Sequence, residues 1–152
     1  MTKTLRLTSP KEPDPPEAWH QEQIFRMAEL NKAEHPELAD LFHPPNGGFR
    51  HKATGAALKR QGEKAGIPDI YLDHARGGYF GLRVELKRFR EGVPSDEQKR
   101  RLLRLQACGY RAVVAYGWRI AWAEILRYLS LPPTIPTEAP PSYNPIPTRR
   151  EI

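Results

Sequence analysis

The sequence is poor in the residues that crosslink small proteins. Cys108 is its only cysteine, so an internal disulfide is impossible and a cysteine-based zinc cage is excluded. Cys108 lies in LQACGYRAVV just before a glycine and reads as a small buried filler. No apolar run reaches the length of a membrane span. The opening stretch MTKTLRLTSPKEPDPPE also lacks the apolar centre of a secretory signal. The expectation is a protein that stays in the cytoplasm where it is made. Acidic residues are the minority charge, 18 against 24 Lys plus Arg, which leaves a net charge of +6. Such an excess favours a polyanionic partner, of which nucleic acid is the usual one. A mildly basic soluble protein with no such partner has the same count.

Proline, by contrast, is abundant, with 16 in 152 residues. Pro10, Pro13, Pro15 and Pro16 crowd one end, and a second group runs from Pro132 to Pro147. Neither end has apolar periodicity, so residues 1–16 and 131–152 read as extended or disordered tails around a domain at 17–130. The second tail has the composition of a polyproline-type ligand, or of an inert extension along the domain surface.

The domain between the tails has a readable order. Ile24, Phe25, Ala28 and Leu30 mark an amphipathic helix over 17–30, with Pro16 suited to its first turn. HPPNGGFRH at 43–51 is a turn-rich loop, and 54–66 has helical composition broken by Gly62 and Gly66. Ile67 to Leu72 predicts a strand, DHARGG a turn, and Tyr79 to Phe89 a second strand. Ser95 and Gln98 have the spacing of a capping box. The helix they open carries Leu102, Leu103, Leu105 and Ala107 and stops at Gly109. Tyr110 to Tyr116 is a third strand, and IAWAEILRYL a last amphipathic helix. The fold class is therefore α/β, a small mixed sheet with helices on its faces.

One hairpin concentrates the chemistry. With the turn centred near Gly77, antiparallel pairing brings Asp69 opposite Glu85. Two like charges across a sheet are unfavourable unless a cation sits between them. Two carboxylates converging beside a backbone carbonyl suit Mg²⁺, with Mn²⁺ able to substitute. Lys87 points to the same face as Glu85, where it can orient or help deprotonate a water, or neutralise charge growing on a phosphate. That is the equipment of phosphodiester hydrolysis. A solvated surface hairpin with a neutralising Glu–Lys pair is the alternative. His20, His43, His51 and His74 show no metal-ligand spacing, although His43 and His51 flank the NGG loop and are placed to face a nucleic acid.

Pro68-Asp69 followed by Glu85-Leu86-Lys87 resembles the PD-(D/E)xK pattern of restriction-endonuclease-like proteins. The surroundings resemble one branch, the VRR-NUC domain. The likeness lies in Asn46 to Arg50, LKRQGEKAGIPD at 58–69, GLRVELKRFREG at 81–92, Ser95 with Gln98, and GYRAVVAYG followed by a helix ending in RYL. It runs from about residue 20 to residue 129. The resemblance implies a restriction-endonuclease-like core with a metal held by Asp69, Glu85 and the carbonyl of Leu86, and with Lys87 catalytic. It adds an acid from the first helix, for which Glu22 is the choice and Glu17 the alternative. Gln98 also belongs to the family's look, beside its capping role.

Basic residues flank this set: Arg50, Lys52, Lys59, Arg60 and Lys64 before it, Arg88 and Arg90 after it, and Lys99, Arg100, Arg101 and Arg104 on the next helix. They suit contacts to a DNA backbone. No base-reading motif accompanies them, so recognition is expected through shape. Stand-alone members of the family resemble Holliday-junction resolvases, which implies a homodimer acting on branched DNA in a bacterial or phage-infected cell. Phe42, Phe49 and Trp122 are the apolar candidates for its interface. A flap or repair-intermediate nuclease, a restriction-type nuclease and a non-catalytic DNA-binding protein are the other readings.

Overall fold

The structure is a computed structural model that describes residues 14–45 and 52–135. Asn46 to His51, with Phe49 and Arg50, lie outside the described residues, as do most of both proline-rich ends. The elements are α1 (Glu17–Asn31), a 3-10 turn (Pro36–Asp40), α2 (Lys52–Arg60), β1 (Ile70–Leu72), β2 (Leu82–Lys87), α3 (Asp96–Ala107), β3 (Arg111–Tyr116) and α4 (Trp118–Leu129).

The three strands form one mixed sheet with β2 in the middle, antiparallel to β1 and parallel to β3. Arg76 and Tyr79 exchange main-chain hydrogen bonds around Gly77 and Gly78, whose φ values are 58° and 84°. Two consecutive glycines take such angles without strain, and a turn with both φ positive matches the twist of a hairpin. The register Ile70–Val84 and Leu72–Leu82 is offset by one residue from the Arg76–Tyr79 pair, because residues 73–75 on the β1 side face only 80–81 on the other, an extra residue of the kind a bulge absorbs. Continued by one residue, it sets Asp69 beside Glu85.

The central strand β2 is paired on both edges and covered on both faces: every one of its residues is buried. Leu82, Val84 and Leu86 face a core built with Ile24 and Ala28 of α1 and Ala121, Trp122, Ile125 and Tyr128 of α4. Burying side chains of this size stabilises the fold by about 1.5–3 kcal/mol each. The opposite face carries Arg83, Glu85 and Lys87, all buried. The surface-hairpin alternative therefore fails, because Glu85 is wholly inaccessible.

Several expectations change. Both strands of the hairpin are shorter than their apolar runs, since Tyr79 to Gly81 leave the turn before β2 begins. The helix expected over 54–66 ends at Arg60. Cys108 is exposed rather than buried, because it caps α3 at its C-terminus. Trp122 is 8% exposed and packs in the core, which removes it as an interface candidate, whereas Phe42 is 42% exposed. Leu30 is likewise exposed. The chain around Pro132 follows the hairpin turn: Gly77 donates to the Pro132 carbonyl at 2.8 Å and Thr134 to that of Ala75 at 3.0 Å.

Candidate active site

Asp69 stands at the entrance of β1 and Glu85 in the middle of β2. Asp69 Oδ2 accepts the Leu86 N–H at 2.7 Å. In an extended strand the N–H and C=O of one residue share an edge, so the Leu86 carbonyl faces the edge where Asp69 sits. Glu85 Oε1 receives Lys87 Nζ at 2.7 Å and the side-chain amide of Gln98. Its other oxygen, Oε2, is buried with no donor, and the Glu85 carboxyl is close enough to Asp69 for the pair to share a hydrogen bond when one of them holds a proton. A buried carboxylate oxygen left without a donor is costly, and this one lies beside a second carboxylate.

The electrostatics match that geometry. Burial, reinforced by the charge of Asp69, pushes the Glu85 carboxyl up to about 7 despite Lys87. Burial also raises Asp69, against the Leu86 N–H and the Lys87 charge. Lys87 suffers desolvation, yet its hydrogen bond to Glu85 and the charges of Glu85, Glu17 and Asp69 raise it overall. Lys87 is therefore a held ammonium, and the carboxylate pair is short of positive charge.

Of the two first-helix acids, Glu17 is the one brought to Lys87, where the expectation favoured Glu22. Glu17 Oε2 lies 3.3 Å from Lys87 Nζ, while Glu22 is exposed. The reason is helical period: Glu17 shares a face with His20, Ile24 and Ala28, the buried residues of α1, and Glu22 lies two residues from Ile24, on the far side.

Gln98 makes the capping contacts expected of it and also touches Glu85. Its amide oxygen accepts the Ser95 N–H at 2.8 Å, and Ser95 Oγ accepts the Gln98 N–H at 3.2 Å. Its amide nitrogen donates to Glu85.

Of the basic residues, Lys59 and Lys64 are exposed. Arg50 and the side chain of Lys52 lie outside the described residues. Arg88 is not free for a phosphate: it donates to the Asp14 carbonyl at 2.7 Å and pairs with Glu91 at 3.1 Å. Asp14 also accepts the N–H groups of Phe89 and Arg90 and faces His20 Nε2 at 3.4 Å. That clamp fixes the chain just after Lys87. Two further neighbours complete the surroundings: His43, expected only to face a nucleic acid, and Arg83, which was missed in the sequence. His43 donates from Nδ1 to the Asp69 carbonyl at 2.6 Å, and Arg83 is buried two residues from Glu85. Alternation alone does not signal Arg83, because it does not say which face of a strand is covered.

Among solved structures, one described as "VRR_NUC domain protein" matches this fold with a TM-score of 0.71 at 32% sequence identity. The match covers 80% of this chain and 94% of that one. The chain belongs to the VRR-NUC family. It is thus a nuclease domain, and its VRR-NUC core is the mixed sheet with its flanking helices. No family model matches the sequence, and no curated protein does.

Proposed function

We propose that this VRR-NUC protein is a metal-dependent, structure-specific DNA endonuclease, resolving Holliday junctions as a homodimer. The observation that carries the metal is the unpartnered Oε2 of Glu85 beside Asp69, in a pair whose joint ionisation burial opposes. The described residues hold no cluster of three or more His, Cys, Asp or Glu side chains for a metal, so the support for an ion here is the carboxylate pair and the adjacent carbonyl alone. Two carboxylates and one carbonyl, from Asp69, Glu85 and Leu86, fit an ion that accepts one or two carboxylates and keeps several waters, which is the habit of Mg²⁺. Bound there, such an ion supplies Lewis-acid polarisation of the phosphate and a more acidic water.

The chain's own groups do the rest. The Leu86 N–H fixes the Asp69 carboxylate, and Gln98 and Lys87 fix one oxygen of Glu85 so that the other stays directed at the pair. Lys87, held between Glu85 and Glu17, orients the attacking water by donating to it and offsets charge growing on the phosphate. As a held ammonium it does this as a donor, not as a base. The excess of positive charge supports a DNA backbone as the polyanion. A four-way junction presents two opposed strands, which a two-fold dimer with one site per protomer can engage together.

The test is cleavage of a labelled immobile four-way junction by the full chain, with 5′-flap and linear duplex controls, in Mg²⁺, Mn²⁺ and EDTA. Paired, metal-dependent nicks near the crossover are expected. Cutting confined to flaps would replace junction resolution with a repair-intermediate nuclease. Cutting at one short sequence in linear duplex would make it a restriction-type enzyme. Junction binding with no cutting anywhere would leave a DNA-binding protein.

A further inference from the structure

One row of side chains away from the carboxylates, aromatic rings alternate with a cation. Tyr71 lies two residues after Asp69 and Arg83 two residues before Glu85, and the two are paired across β1 and β2. Residues two apart on a strand share a face, so this row sits on the order of 7 Å from the carboxylate row. The Arg83 guanidinium carbon is 4.1 Å from the centre of the Tyr71 ring and 4.4 Å from that of Tyr110. Arg83 pairs with Asp73 at 2.7 Å and donates to the Leu82 carbonyl at 2.9 Å, but its Nε is buried without a partner. Burying a cation in this way is costly. What it provides is a rigid backing for Tyr71.

Beyond Tyr71, at the outer edge of the sheet, comes Phe42. The two residues exchange main-chain hydrogen bonds at 3.0 and 2.9 Å, which puts their side chains on one face. Their ring centroids are 5.3 Å apart with planes tilted by 41°. Phe42 is 42% exposed, and open space of about 400 Å³ begins beside it, bounded by Asp40, Asp73 and His74. Arg101 of α3 is close enough for its charge to act on the Tyr71 phenol. It has no ion-pair partner among the described residues.

We propose that Phe42, backed by Tyr71 and Arg83, is a stacking platform for an unpaired DNA base next to the cut phosphate. The inference rests on the nuclease reading and narrows its substrate. With a phosphate at Asp69 and Glu85, the row at Tyr71 lies where the base of a neighbouring nucleotide reaches. The charge of Arg101, unpaired among the described residues, suits that nucleotide's own phosphate. A base inside continuous duplex is already stacked on both sides and has no face to offer. A base freed at a branch point or flap has one, and aromatic rings bind it whatever its identity. The platform therefore selects unpaired nucleotides without reading sequence.

The experiment uses the full chain in EDTA, so that no strand is cut. A short single strand carrying 2-aminopurine and the blunt duplex of the same length are titrated into the wild type, Phe42→Ala and Phe42→Tyr, with oligomeric mass measured alongside. The wild type and Phe42→Tyr should quench the single-strand fluorescence. Phe42→Ala should lose the quenching and bind single strand roughly ten-fold more weakly, the worth of one base–aromatic stack, with duplex binding unchanged. Equal losses on single strand and duplex, no loss on either, or a change confined to oligomeric mass would each overturn the platform. The two readings fail separately. A protein that cuts in Mg²⁺ but shows no quenching keeps the nuclease and loses the platform. One that quenches but never cuts keeps the platform and loses the nuclease.

Discussion

Gln98 joins a helix cap to a buried carboxylate. The same side-chain amide accepts the Ser95 N–H through its oxygen and donates to Glu85 through its nitrogen. The start of α3 and the orientation of Glu85 are thus one structural fact. Two substitutions separate them. Ser95→Ala removes a cap acceptor without touching Glu85 and should lower stability by about 1 kcal/mol while leaving the cleavage rate near wild type. Gln98→Glu keeps an acceptor for the Ser95 N–H but sets a carboxylate against Glu85, and should cut the rate at least ten-fold. Thermal melts and single-turnover cleavage on both proteins check this; equal rates in all three proteins would make Gln98 a cap alone.

Glu17 and Glu22 give opposite expectations on one helix. Glu17→Gln removes a charge 3.3 Å from Lys87 and should slow cleavage by on the order of ten-fold, a little over 1 kcal/mol of lost positioning. Glu22→Gln alters an exposed residue and should do nothing measurable. Rates of the two variants at saturating Mg²⁺ decide it, and a slow Glu22→Gln beside a normal Glu17→Gln would reverse the assignment.

Lys87→Ala should lose on the order of 100-fold or more in cleavage rate, the scale of removing one charged donor at a reacting centre. Mn²⁺ binding, followed by calorimetry, should survive because Asp69 and Glu85 remain. Loss of metal binding together with activity would move Lys87 from the reaction to the architecture of the carboxylate pair.

The pH dependence of stability has a definite sign. The Glu85 carboxyl is raised from 4.5 to about 7 by burial and by Asp69, so the folded protein holds that proton more tightly than the unfolded chain. Its contribution to stability is full below about 4.5 and is lost as pH rises through about 7. In EDTA the melting temperature should fall over that range more steeply for wild type than for Glu85→Gln. A divalent cation at the pair should flatten the wild-type fall. Parallel melting curves for the two proteins in EDTA would contradict the buried, raised carboxyl.

The hairpin was legible in the sequence because two local signals agree. Gly77 and Gly78 mark the turn, and centring it on Gly77 sets Asp69 against Glu85, a pairing that makes physical sense only around a cation; the one-residue offset between the turn pair Arg76–Tyr79 and the strands was not visible. The capping box and Gly109 placed α3 for equally local reasons. The first-helix acid was not legible, because the buried stripe of α1 includes His20, a polar residue. A count of apolar positions favours Leu30 instead and turns the helix the wrong way. Cys108 misled because a small residue before a glycine looks like filler, whereas its place at the end of α3 leaves it in solvent. Arg83 was hidden because strand alternation shows which residues share a face, but not that a helix and two tyrosines will cover them.

The measurement that tests the central claim most directly is cleavage of the labelled four-way junction in Mg²⁺ by wild type and by Asp69→Asn, with folding of both confirmed by melting. Asp69→Asn keeps an acceptor for the Leu86 N–H but removes the charge that a cation needs beside Glu85. The account predicts paired nicks from the wild type and none from the variant, at equal junction binding. Nicking by Asp69→Asn at the wild-type rate would show that the carboxylate pair is not the catalytic centre.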